Sequence, residues 1–224
     1  MCESPPCITV FAGPNGSGKS TLTRKIKTAN PDDLPSLYIN ADEIQQDYQL
    51  TSLQAAQEAA RLRNEALKQG GSFAFETVMS TDEKIEFLIR AKAAGYKLQF
   101  VYITTRDAAV NVSRIENRVV KGEHDVPEEK VRSRYHKSMN LLPKAMQIVD
   151  TGLVYDNSGE EPILIAKKTL DGVLHLYPQT GQGGWTNQEL KVLLDSSGYI
   201  ETIAYISGTK MKIISIRAVA STKK

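Results

Sequence analysis

Eight consecutive residues, Gly13-Pro14-Asn15-Gly16-Ser17-Gly18-Lys19-Ser20, place four residues between a glycine and a closing Gly-Lys-Ser. Glycines let a backbone fold tightly enough for several amide N–H groups to converge on an anion at a helix N-terminus. In that setting Lys19 reaches the β- and γ-oxygens of a nucleotide, the Ser20 hydroxyl is placed to ligate Mg²⁺, and Thr21 can touch the α-phosphate. The pattern therefore predicts a phosphate-binding loop for ATP. It leaves open whether the loop belongs to a motor, a switch, an ATPase or a kinase. A guanine-reading Asn-Lys-x-Asp motif is absent, which weighs against a GTPase switch.

Transfer of a phosphoryl group needs a carboxylate near the acceptor and cations around the shifting charge. Two acidic positions follow short apolar runs: Asp42-Glu43 after LYIN and Glu76 after SFAF. Asp42 suits a general base that takes the proton of an acceptor hydroxyl, while Asn40 or Asp42 could also cap the following helix. Glu76 could be a solvated strand end, a partner of an acceptor hydroxyl or a water-mediated Mg²⁺ ligand. Arg114, Arg118, Arg132 and Arg134 flank a Gly- and Pro-containing turn at 121–127, the expected build of a closing lid. Arg114 and Arg118 share one helix face by their i, i+4 spacing. His124, within the turn, reads as a polar loop residue and not as a catalyst.

The elements needed to position these groups are legible as alternating strands and helices. Strands are expected at 7–12, 37–40, 72–77, 98–103, 154–156 and 163–166, each short and rich in β-branched or aromatic residues. Helices are expected at 19–29, 51–69, 81–94, 106–120 and 126–149, with Ser80 or Thr81 capping the third of them. The order predicts an α/β protein with a parallel sheet covered on both faces, whose ligand crevice lies beyond the C-terminal strand ends. Residues 184–224 differ in composition, with a short helix near 187–194 and β-rich runs at 199–206 and 211–219 separated by Ser207-Gly208-Thr209. They predict a C-terminal hairpin.

A length of 224 residues with 41% hydrophobic content is enough for one sizeable core. The 28 basic and 26 acidic side chains nearly cancel, giving +2, so charge offers no support for nucleic-acid binding. The positions of Cys2 and Cys7 suggest no disulfide or metal framework, and no run of about 18 apolar residues suggests a membrane span. The expected setting is a reducing cytoplasm.

Taken in order, FAGPNGSGKST, INADEI, SFAFETVMS and RVVKGEHDVPEEKVRSRY resemble the zeta-toxin-like P-loop kinases over residues 7–178. The resemblance implies an ATP- and Mg²⁺-dependent kinase with its domain over 1–183, a helical lid at about 114–134 and an extension at 184–224. It implies an acceptor hydroxyl on UDP-N-acetylglucosamine or a related nucleotide-sugar, and it admits a protein antitoxin as partner. By that likeness the 13–21 segment binds nucleotide, Ser20 binds metal, Asp42 is the base, Glu76 contacts the acceptor, and Arg118 with Arg132 or Arg134 clamps phosphates.

The chain departs from the family pattern at Glu123, where a second glycine commonly precedes the lid histidine. It departs again at Val78, where a hydroxyl residue is often found, which moves the expected acceptor contact to Thr77 or Ser80. Residues beyond about 185 have no counterpart in the pattern. Two other readings remain open: a kinase for a nucleoside, an antibiotic hydroxyl or a nucleic-acid end, and a non-catalytic ATP-binding module that uses the hairpin to bind a partner.

Overall fold

A computed structural model describes residues 5–29, 34–120, 126–179, 184–194, 199–205 and 212–218. Lys121, Gly122, Glu123, His124 and Asp125, at the tip of the expected lid, lie outside the described residues. Among the described residues nine strands form one sheet in the order β2-β3-β1-β4-β5-β6-β7-β9-β8.

The first five strands are β1 (Cys7–Ala12), β2 (Leu37–Ile39), β3 (Phe73–Thr77), β4 (Lys97–Thr104) and β5 (Thr151–Asp156), and neighbours among them pair in parallel. This half follows from the sequence pattern: continuous apolar runs such as CITVFA need both faces covered, and intervening helices supply the cover. The other half is antiparallel. It comprises β6 (Ile163–Lys168), β7 (Val173–Leu176), β8 (Tyr199–Tyr205) and β9 (Lys212–Ala218). The sequence reading passed over β7, whose four residues alternate half-buried with buried around the polar His175 and so lack the continuous apolar signal of the parallel strands. Through β7 the expected hairpin of β8 and β9 continues the main sheet.

The helices are α1 (Lys19–Ala29), α2 (Ala41–Asp47), α3 (Ser52–Gln69), α4 (Asp82–Ala93), α5 (Ala108–Val119), α6 (Glu128–Ile148) and α7 (Asn187–Leu193). Their ends obey local chemistry. Thr51 and Gln54 close a capping box on α3, which stops at Gly70 in a left-handed conformation, φ 78°. Asn40 caps α2 by accepting from the Asp42 N–H, so the cap belongs to Asn40 and leaves the Asp42 carboxylate free. At α4 the N-cap position is Thr81, with no side-chain cap bond.

Alternation along the strands divides the core. On one face Ile8, Val10, Phe73, Phe75, Leu98, Phe100 and Tyr102 pack with residues of α3, α4 and α6. On the other, Phe11, Ala74, Val101 and Ile103 pack with Leu22 and Ile26 of α1. Trp185, Leu190 and Leu194 join the first of these clusters. A small third cluster of Val112, Ile115 and Val131 joins α5 to α6. No helix among the described residues is long and apolar enough to cross a membrane.

Candidate active site

The 13–20 loop turns off the C-terminal end of β1 into α1, beside the ends of β3 and β4. Gly13, Gly16 and Gly18 hold φ values of 143°, 75° and 93°, a region in which side chains with a Cβ are strained. Close approach imposes the same choice: a Cβ on Gly13 would meet the Ile103 carbonyl, one on Gly16 the Asn111 carbonyl, and one on Gly18 the Asn157 amide. The loop is thus clamped from outside. Gly13 donates its N–H to the Thr77 carbonyl (3.2 Å) and Ser17 donates to the Pro14 carbonyl (3.3 Å).

Two asparagines that sequence reading did not single out support this clamp. Asn111 Nδ2, on α5, donates to the Asn15 carbonyl at 2.6 Å, and Asn157 Nδ2, just after β5, donates to the Ser17 carbonyl at 2.7 Å. Neither lies in a motif, and both are far in sequence from the loop they hold. Ser17 Oγ is buried and has no partner among the described residues.

Lys19 Nζ folds back onto the Pro14 carbonyl at 3.0 Å. Burial pushes its pKa down from the ordinary lysine value; the Glu76 and Asp42 carboxylates oppose that shift, and the Arg118 and Arg134 guanidiniums reinforce it. Those four groups therefore all act on the Lys19 ammonium, two of each sign. Sequence-predicted residues from β3, α2, α5 and α6 thus lie within electrostatic reach of the loop lysine.

Glu76 is buried and held from two sides. Ser20 Oγ donates to its Oε2 at 3.0 Å and Tyr38 OH to its Oε1 at 2.5 Å. The arrangement follows from strand register: Tyr38 lies beside Ala74, two residues before Glu76, so Tyr38 and Glu76 share the α1 face of the sheet. Burial, then the charge of Glu76, pushes the Tyr38 hydroxyl pKa up, which keeps it a donor. Lys27 Nζ sits 3.0 Å from the centroid of the Tyr38 ring. Sequence reading missed Tyr38, although the alternation of LYIN against SFAFET carried the signal.

The remaining predicted residues divide. Arg134 Nη1 reaches Asn15 Oδ1 at 3.4 Å, whereas Arg132 turns away into an i, i+4 pair with Glu128 at 2.7 Å. A two-residue step along a helix rotates a side chain by roughly 200°, so Arg132 and Arg134 cannot serve one clamp. Arg114 donates to the Gly159 carbonyl at 3.4 Å. Thr77 Oγ1 accepts from the Met79 N–H at 3.1 Å and so supports the turn after β3, where Met79 takes φ 57°. Ser80 is half-buried beyond that turn, and Thr21 is exposed at the start of α1.

The zeta toxin family model matches residues 2–168. The chain belongs to the zeta toxin family. An uncharacterised protein of Haemophilus influenzae is 32% identical over 130 residues, which cover 56% of this chain and 89% of that protein. Among solved structures, the AvrRxo1-ORF1:-ORF2 complex with ATP is similar with a TM-score of 0.60 at 14% identity, covering 76% of this chain. This chain spans 60% of the AvrRxo1 chain it matches. A second structure of that complex, with sulphate ions, gives a TM-score of 0.56 at 14% identity, over 75% of this chain and 60% of that one. At such identity the likeness speaks for the fold. This zeta toxin family member has the α/β P-loop kinase fold expected from its motif order, extended by four antiparallel strands.

Proposed function

We propose that this zeta toxin family member is an ATP-dependent kinase that transfers the γ-phosphate to a hydroxyl of UDP-N-acetylglucosamine or a related nucleotide-sugar. The observation that carries the reading is the convergence of Lys19, Ser20, Glu76 and Asp42 at the C-terminal ends of β1, β2 and β3. A phosphate loop alone binds; a loop faced by two carboxylates from neighbouring strands has the parts for transfer.

The amides of the 13–20 loop would receive the β-phosphate, with Lys19 exchanging its internal partner, the Pro14 carbonyl, for phosphate oxygens. Ser20 Oγ and the Glu76 carboxylate form an all-oxygen donor set of the kind that suits Mg²⁺, which keeps most of its remaining positions for phosphate and water. When bound, Mg²⁺ supplies charge neutralisation at the phosphate oxygens. Asp42, exposed on the first turn of α2 and freed from capping by Asn40, accepts the acceptor's proton. The acceptor oxygen then bonds to the γ-phosphorus while the bond from that phosphorus to the β–γ bridging oxygen breaks, and ADP departs with the electron pair. Arg118 and Arg134 counter the charge that accumulates on the transferred group.

On this reading Thr77 shapes the turn that leads to Ser80, and Ser80 is the acceptor contact that Val78 does not provide. A cytoplasmic setting and neutralisation by a protein antitoxin belong to the same proposal. The test is incubation with ATP, Mg²⁺ and UDP-N-acetylglucosamine, followed by mass analysis of the sugar nucleotide. A gain of one phosphate that depends on Asp42 is expected. No phosphorylated sugar nucleotide from the wild type would refute the acceptor, and equal product from Asp42→Asn would refute the mechanism.

A further inference from the structure

Residues 184–194 lie beyond the 2–168 segment that matches the family. They nevertheless connect to the phosphate loop through hydrogen bonds on either side of the 156–158 backbone turn. Trp185 is the chain's only tryptophan. It is 7% exposed, and its Nε1–H donates to Asp156 Oδ2 at 2.9 Å. The other oxygen of Asp156 accepts from the Ser158 N–H (2.9 Å) and the Ser158 hydroxyl (2.6 Å). Ser158 Oγ accepts in turn from the Arg106 N–H at 2.8 Å. The Arg106 guanidinium lies over the Trp185 ring, 4.7 Å from its centroid, and bonds Glu189 of α7 at 2.7 Å.

Asn157 stands between the two fastened residues. Its N–H donates to the Thr104 carbonyl at 2.8 Å, and its side chain carries the 2.7 Å bond to the Ser17 carbonyl. The contact is close enough that Gly18 has no room for a Cβ. We infer that Trp185 is a positioning residue of the nucleotide site, holding the Asp156 carboxylate so that the 156–158 turn presents Asn157 to the phosphate loop. The inference rests on the nucleotide-site reading above.

The physical basis is the stiffness of a buried carboxylate whose two oxygens together accept three hydrogen bonds. Removing the indole donor leaves Oδ2 buried and unpaired, which favours rotation of Asp156 or entry of water at the turn. Either displacement moves the backbone that carries Asn157, and through its bond to the Ser17 carbonyl changes the direction of the Ser17-Gly18 peptide that the phosphate would meet. A purely structural role, docking α7 onto the sheet, would lower stability without altering nucleotide affinity selectively.

Trp185→Phe keeps a ring under Arg106 and removes the donor. Calorimetric titration with ATP and Mg²⁺ is expected to show Kd raised about tenfold, because the displaced loop peptide meets the phosphate in poorer geometry. Asn157→Ala is expected to raise Kd similarly, and the double variant to bind no more weakly than Asn157→Ala alone, because both act through one contact. In the wild type, Trp185 emission is expected to change saturably with ATP at the calorimetric Kd. Unaltered ATP affinity in Trp185→Phe, additive effects in the double variant, or wild-type emission indifferent to bound ATP would each overturn the inference. A wild type that binds no ATP would overturn the proposed function, and this inference with it.

Discussion

The Ser20 hydroxyl donates to Glu76 Oε2 across 3.0 Å, joining the first turn of α1 to the end of β3. The two groups satisfy each other. The proposed Mg²⁺ would replace that hydrogen bond by a shared ion. Glu76→Gln keeps the shape and removes the charge, so the transfer rate is expected to fall by at least about 10²-fold and the Mg²⁺ concentration for half-maximal rate to rise. Initial rates measured across a Mg²⁺ series check this. An unchanged Mg²⁺ dependence would return Glu76 to an acceptor-contact role.

Asp42 and Lys19 should separate chemistry from binding. Asp42→Asn removes the proposed proton acceptor but leaves the loop and the Asn40 cap in place. Transfer is expected to drop by about 10²–10⁴-fold with ATP affinity retained, measured by single-turnover kinetics beside calorimetry.

Lys19 carries a pH signature. Burial lowers its pKa below that of the unfolded chain. Between the lowered folded value and the ordinary lysine value the unfolded state holds more protons, so stability rises with pH across that window. In nucleotide-free protein this alkaline gain is expected to vanish in Lys19→Met, whose melting temperature at neutral pH should equal or exceed that of wild type. ATP binding should be lost in the same variant. Thermal melts from pH 7 to 10, with and without ATP, read both effects.

Arg132 and Arg134 provide a contrast two residues apart. Arg134→Ala is expected to lower kcat by about 10²-fold. Arg132→Ala, which breaks only a surface pair with Glu128, should change stability by at most about 1 kcal/mol and leave kcat alone. Comparable losses of kcat in both variants would place the clamp elsewhere on α6.

The parallel half of the fold was legible because its signals are local: β-branched runs, capping residues, and glycines where the chain must turn. Lys19 and Ser20 were singled out by the spacing of the glycine loop, and Asp42 and Glu76 by their places after short apolar runs, which are local signals as well. Tyr38, Asn111 and Asn157 were not, since their roles arise from register and from contacts across 38, 96 and 140 residues of chain. The choice between Arg132 and Arg134 needed the rotation of α6 relative to the loop, which depends on how its apolar seam at Val131, Tyr135 and Leu142 seats against the core. Strand β7 and the shared core of residues 184–194 were obscured because antiparallel additions to a sheet edge need only a weak pattern.

Asn15 is touched by both helices that flank the expected lid turn: Asn111 of α5 holds its main-chain carbonyl, and Arg134 of α6 reaches its side-chain carbonyl. Those helices meet each other through the small cluster of Val112, Ile115 and Val131, which stands apart from the main core. Any change in the angle between them must therefore pull on one loop residue from two directions. Asn15 is thus the junction at which the posture of the two helices bears on the loop proposed to hold phosphate.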